Sequence, residues 1–196
     1  LIRIPPLVDI TDEIWNQKPY DGTDIFEFCF AGIPDGNKES PDKILEAFSR
    51  VSDENTRLRI VGMTKNDFVV NYPDLAFLAE DSRIVFEGRV SHKDAVRFII
   101  NCDCYIFIRV SDLRNNAGFP TKFSEAYTLC RPVITTSISD LPCYFVDDDT
   151  GELLDGISVE KIADAMKRQI EKGKISKDGK LSDAFDYHSY ISDFNT

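Results

Sequence analysis

Long apolar runs are missing from this sequence. None approaches the roughly 18–20 residues that cross a bilayer as a helix, so the chain offers no transmembrane segment. Runs of lysine and arginine are missing too. With 23 basic against 34 acidic residues and a formal net charge of −11, the chain lacks the clustered cations that hold a phosphate backbone. Nucleic acid is therefore excluded as a partner, and the acidic balance serves solubility. Histidine is scarce: His92 and His188 are the only two, far apart in sequence. The five cysteines, Cys29, Cys102, Cys104, Cys130 and Cys143, show no paired CxxC spacing, and their odd number disfavours a disulfide framework. They read as buried, reduced core cysteines of a cytosolic protein. Neither a metal site nor a cofactor is expected from so thin a ligand set. No GxGxxG fingerprint and no GxxxxGK[ST] loop occurs, which speaks against a dehydrogenase and a P-loop enzyme. No acidic pair closes the first strand, which speaks against a response-regulator module. The run Asp147-Asp148-Asp149 reads as solvated charge in a late turn.

What is present is an alternation of strands and helices. The length of 196 residues and a hydrophobic fraction of 42% suit a single α/β layer structure with an ordinary core. Strands are expected over 24–31, 57–62, 83–88, 104–109, 132–136 and 152–154. Helices are expected over 41–52, about 66–80 (divided by Pro73), from Ser91 onward, 121–130 and 158–173. The run CYIFIR at 104–109 has the unbroken apolar character of a strand buried on both faces of a parallel sheet. The expected fold is a Rossmann-like, doubly wound parallel sheet with helices on both faces, occupying residues 24–175. Residues 1–23, with Pro5, Pro6 and an isolated Trp15, read as a linker or strap. Residues 176–196 read as a C-terminal helical tail that stops without a natural end. The chain opens at Leu1 inside an apolar pattern, which reads as an excised fragment.

In such sheets ligands bind at the carboxyl ends of the strands. Three loops there carry candidate chemistry. Asn115 to Pro132 leads from a buried strand through Gly118-Phe119-Pro120 into a helix bearing Thr121, Lys122 and Glu125. A helix N-terminus suits a diphosphate, Lys122 adds a cation, and Glu125 lies one turn from Thr121 on the same face, where a carboxylate accepts hydrogen bonds from a ribose diol. The loop GIPDGNK, from Gly32 to Lys38, brings backbone close to a phosphate. The loop around Gly88 and Arg89 is placed to read a base edge or approach phosphate. Each of these, taken alone, also reads as an ordinary βα loop.

Together, FCFAGIPDGNKESPDKILEAF, RLRIVG, RIVFEGRVSHKDAVRFIINCDCYIFI, AGFPTKFSEAYTLCRPVITT and the late TGELL resemble the C-terminal domain of family 4 retaining glycosyltransferases, the group 1 glycosyl transferases of the GT-B fold. GFPTKFSEA followed by PVI is most similar to members that build bacterial surface polysaccharides. The resemblance implies transfer of a sugar from a nucleotide diphosphate sugar to an acceptor hydroxyl, with retention and without a metal. It implies a sugar or lipid-linked acceptor held by a missing N-terminal domain. It implies work in the cytoplasm or at the inner face of the cell membrane. It assigns Glu125 to the ribose and Lys38 to the diphosphate. It assigns Gly32 to the first loop, Gly118, Phe119 and Pro120 to the loop approaching donor sugar and phosphate, Thr121 and Lys122 to the helix start, and Gly88 and Arg89 to the region of the base. No residue is assigned to bond-making. Two positions depart from the family pattern. Ala117 stands where a first Glu engages the donor sugar, leaving Asn115 or Asn116 as substitutes. Ile33 stands where an Arg binds phosphate, leaving Arg89 or Lys122 to compensate. The alternative that these departures leave open is a nucleotide-binding domain without sugar transfer.

Overall fold

The computed structural model describes residues 4–20, 24–32 and 38–191. Six parallel strands form one sheet: β1 (Phe26–Ala31), β2 (Thr56–Val61), β3 (Ile84–Gly88), β4 (Cys104–Ile106), β5 (Val133–Thr136) and β6 (Gly151–Leu154). Their spatial order is β3-β2-β1-β4-β5-β6, the doubly wound arrangement expected. The central strands are the apolar ones. Phe28, Cys29 and Phe30 of β1 and all of β4 are fully buried, because crossover helices cover both faces of a parallel sheet.

The helices are α1 (Pro41–Phe48), α2 (Lys65–Asn71), α3 (His92–Asn101), α4 (Leu113–Asn116), α5 (Thr121–Thr128) and α6 (Val159–Lys172). Their starts follow from local chemistry. Pro41 sits at the first helical position of α1, where its missing N–H costs nothing. Thr64 and Asp67 close a capping box on α2, and the side chains of Ser91 and Ser158 accept backbone N–H groups at the starts of α3 and α6. Pro73 ends α2 and begins a 3-10 stretch over Pro73–Glu80. α1 packs against α6, and α3 against β1.

Gly151 shows how tightly β6 approaches β5. Its φ is +117°, and a Cβ there would lie 2.2 Å from the Val133 carbonyl oxygen. Only glycine fits.

The strap and the C-terminal segment are bound to one another. Val8 forms a parallel bridge with Asp186, donating to the Phe185 carbonyl at 2.8 Å while its own carbonyl accepts from Tyr187 at 2.9 Å. Trp15 is buried and donates its indole N–H to the Asp9 carbonyl. Phe185 is fully buried among Phe119, Phe123, Tyr127 and Tyr144.

Several expectations change. The tail is not a continuous helix: over the described part of 176–196 it is irregular, with a turn at 184–185 followed by a 3-10 helix at Tyr187–Tyr190. Its aromatic spacing reflects Phe185 reaching into the core. The loop over 110–120 contains the short helix α4, which Asp112 caps by accepting from the Asn115 N–H. Cys29, Cys102 and Cys104 are buried as expected, but Cys130 and Cys143 are exposed. Cys130 has a positive φ of 53°, in the turn that carries α5 into β5.

Candidate functional site

The strand order reverses between β1 and β4, which lie side by side with Phe28 opposite Cys104 and Cys29 opposite Tyr105. The chain leaves these two strands in opposite directions, opening a crevice beyond their carboxyl ends. Tyr105 fastens the two strands at that point. Its hydroxyl donates to the Ala31 carbonyl at 3.1 Å, and burial pushes its ionisation well above the usual phenol range.

Three elements meet in the crevice. Gly32 follows β1 and donates its N–H to Val61. Arg109 follows β4, its N–H and carbonyl both bonded to the Thr136 hydroxyl. The third is the start of α5, where Pro120 provides no side-chain cap, so first-turn N–H groups stay available to a ligand. Glu39 joins all three. Its Oε1 accepts from Arg109 Nη2 at 2.9 Å and from Lys122 Nζ at 3.0 Å. The Glu39 side chain is only 5% exposed, and its Oε2 has no hydrogen-bond partner. Gly32 is what makes room: a Cβ there would lie 2.3 Å from Oε2 and 2.9 Å from Lys122 Nζ.

Glu125 lies on α5, half-buried, with its Oε1 3.0 Å from His92 Nε2 at the start of α3. The pair lines a pocket of about 240 Å³ with Thr121 and Ser124, to which the strap contributes Leu7, Val8 and Trp15. A carboxylate that keeps one oxygen uncommitted beside an imidazole is suited to accept from a diol.

The remaining sequence candidates divide. Lys38 is exposed and directly precedes Glu39, while residues 33–37 of its loop lie outside the described residues. Gly88 closes β3 with φ +67° and exchanges backbone hydrogen bonds with Gly62 and Met63. Arg89 is exposed and lowers the Asp67 carboxyl through its charge, a minor contribution beside the hydrogen bonds from Thr64. Gly118 is exposed, and its missing side chain faces open space. The Phe119 ring packs edge-on against Phe123 and Tyr144, so it serves the core. Pro120 is buried at the α5 start. Asn115 donates to the Val110 carbonyl. Asn116 holds Ser139 and Ser111. Both amides are therefore occupied in fixing loops.

Sequence reasoning missed Glu39, Arg109 and His92. The available signals were a charge ending the apolar run CYIFIR and an acid following the loop lysine. Among the described residues one group places three metal-ligand atoms within 4.8 Å, namely Asp9, Asp186 and His188. Its hydrogen bonds join the strap to the C-terminal segment. No helix among the described residues is long and apolar enough to cross a membrane.

Comparison with known proteins places this architecture. The model of "Glycosyl transferases group 1" matches residues 35–186. No curated protein matches the sequence. Among solved structures, the lipopolysaccharide outer core galactosyltransferase WaaB in its apo form is similar with a TM-score of 0.72 at 20% identity, over 98% of this chain and 53% of that one. Anabaena HepE in complex with UDP and glucose gives 0.68 at 14% identity, over 88% and 47%. WaaG, a glycosyltransferase involved in lipopolysaccharide biosynthesis, gives 0.58 at 17%, over 76% and 39%. The chain thus spans about half or less of the length of these structures. With a matching sequence model and the fold of GT-B enzymes, the chain belongs to the group 1 glycosyl transferases, as their C-terminal domain.

Proposed function

We propose that this chain is the donor-binding half of a retaining glycosyltransferase, which moves a sugar from a nucleotide diphosphate sugar to an acceptor hydroxyl in surface polysaccharide synthesis. The observation that carries this reading is the placement of Lys122 and Glu125 on one short helix. Lys122 faces Gly32 across the switch point, and Glu125 stands one turn along, in a pocket with His92. This spacing suits a diphosphate at the helix start and a ribose beside it. Lys38 and the α5 N–H groups complete the phosphate contacts, and Gly88 with Arg89 borders the base. The Gly118–Pro120 backbone borders the sugar.

The reaction breaks the bond between the anomeric carbon and the diphosphate oxygen, so negative charge grows on the leaving diphosphate. Lys38, Lys122 and the helix dipole stabilise that charge, which is electrostatic catalysis by pre-placed groups. No metal is called on. The acceptor, a sugar or a lipid-linked sugar, is held by an N-terminal domain, at the cytoplasmic face of the membrane. This chain alone binds nucleotide weakly and turns over nothing.

Calorimetric titration with UDP, GDP and ADP tests the reading, with Glu125→Ala beside the parent. One nucleotide binds, and the variant loses about 1–3 kcal/mol, the cost of removing one partner of a hydrogen bond. Equal affinity of parent and variant removes Glu125 from the site.

A further inference from the structure

We infer that Arg109 is a second cation of the proposed diphosphate site, held beside Lys122 on the shared carboxylate of Glu39. The inference rests on the donor-binding reading above and adds a residue to it.

The Glu39 cluster is over-supplied with positive charge. Arg109 and Lys122 both bind the same oxygen of one carboxylate, so the trio carries a net charge of about +1 at the switch point. Burying a cation is costly unless its charge is matched, and Lys122 by itself would neutralise Glu39. The Arg109 side chain is nevertheless held there at 13% exposure, with its guanidinium carbon 5.6 Å from the Phe107 ring centroid. Hydrogen-bonding capacity is also left over. Arg109 Nε is buried with no partner, and so is Glu39 Oε2. In a folded protein such groups are nearly always satisfied, so an unused N–H on a surplus cation marks a place for an incoming acceptor.

Position agrees with charge. Arg109 leaves the carboxyl end of β4, next to β1, at the crevice where this sheet type binds ligands. Glu39 ties it to Lys122, because both cations bind the same carboxylate oxygen. A diphosphate brings at least two negative charges and several acceptor oxygens. A guanidinium fork meets these with paired hydrogen bonds, which an ammonium does not. Glu39 holds both cations in place before the anion arrives.

The test uses this chain with inorganic pyrophosphate, with UDP, GDP and ADP, and with the matching nucleosides, at low salt. Arg109→Gln weakens pyrophosphate and the preferred nucleotide by about tenfold or more, the usual worth of a charged hydrogen bond, and leaves nucleoside binding unchanged. In the parent, the Arg109 Nε–H resonance shifts when pyrophosphate is added, a readout that requires no substitution. If Arg109→Gln binds pyrophosphate and nucleotide as well as the parent, or the Nε–H resonance stays still at saturation, Arg109 is only a partner of Glu39. The inference then fails while the donor site keeps Lys38 and Lys122. If the parent binds none of the three nucleotides and no pyrophosphate, the donor-binding reading fails and takes this inference with it.

Discussion

Adding one methyl group at Gly32 tests the architecture of the crevice. In Gly32→Ala the new Cβ would stand 2.3 Å from Glu39 Oε2, 2.9 Å from Lys122 Nζ and 3.0 Å from Phe30 Cζ, where ordinary contact begins at 3.4 Å. The carboxylate must therefore retreat by about 1 Å (3.4 minus 2.3). It is pinned by contacts of 2.9 and 3.0 Å to Arg109 and Lys122, so retreat weakens at least one of them. A charged hydrogen bond contributes about 1.5–3 kcal/mol. Alanine returns about 0.4–1 kcal/mol by narrowing the unfolded ensemble, so the net loss comes to about 0.5–2.5 kcal/mol. Urea unfolding of parent, Gly32→Ala, Glu39→Ala and the double variant measures it. Because Glu39→Ala removes the atom that the methyl meets, the methyl should cost about 1–2 kcal/mol less in that background. The reasoning is refuted if Gly32→Ala is as stable as the parent, or if its cost is the same with and without Glu39.

Other consequences follow from separate parts of the molecule. Glu125→Ala should abolish any preference for a ribonucleotide over its 2′-deoxy counterpart, measured by paired titrations; a preference that survives places the ribose elsewhere. Phe123→Ala removes a fully buried ring that touches Phe119, Tyr127, Tyr144, Phe145 and Phe185. It should cost about 3–5 kcal/mol in chemical denaturation, and a loss under about 1 kcal/mol contradicts the packing described. Glu160 is held down to about 2 by its hydrogen bond from Arg50, then by backbone and Ser158 hydrogen bonds. Its folded value lies below its ordinary one of 4.5, so the stability it adds is present above that value and is lost as pH falls toward 2. The melting-temperature gap between parent and Glu160→Gln should be small, as for exposed pairs, widest near neutral pH, and closed near pH 2. A gap that widens on acidification reverses the sign and contradicts the pairing.

Much of the fold was legible in the sequence because its signals are local. The aromatic-rich run of β1, the unbroken apolar run of β4, the helical periodicities of α1 and α6, the caps at Ser91 and Ser158 and the break at Pro73 each depend on a few neighbouring residues. Alternating strands and helices then leave few ways to wind a parallel sheet. The loops at its carboxyl edge, and with them Gly32, Thr121, Lys122 and Glu125 as candidates, follow from that winding. Tertiary structure decided which side chains meet. Nothing local pairs Glu39 with Arg109, 70 positions apart, or His92 with Glu125, 33 apart. Those pairs exist because β4 returns beside β1 and because α3 and α5 start at the same edge. For the same reason the tail's aromatic spacing, which reads as a helix in sequence, is instead the reach of Phe185 into a cluster of rings from α5 and the 144–145 turn. Local patterning fixes elements and their order, while charge pairing and ring packing depend on distances that only the closed sheet sets.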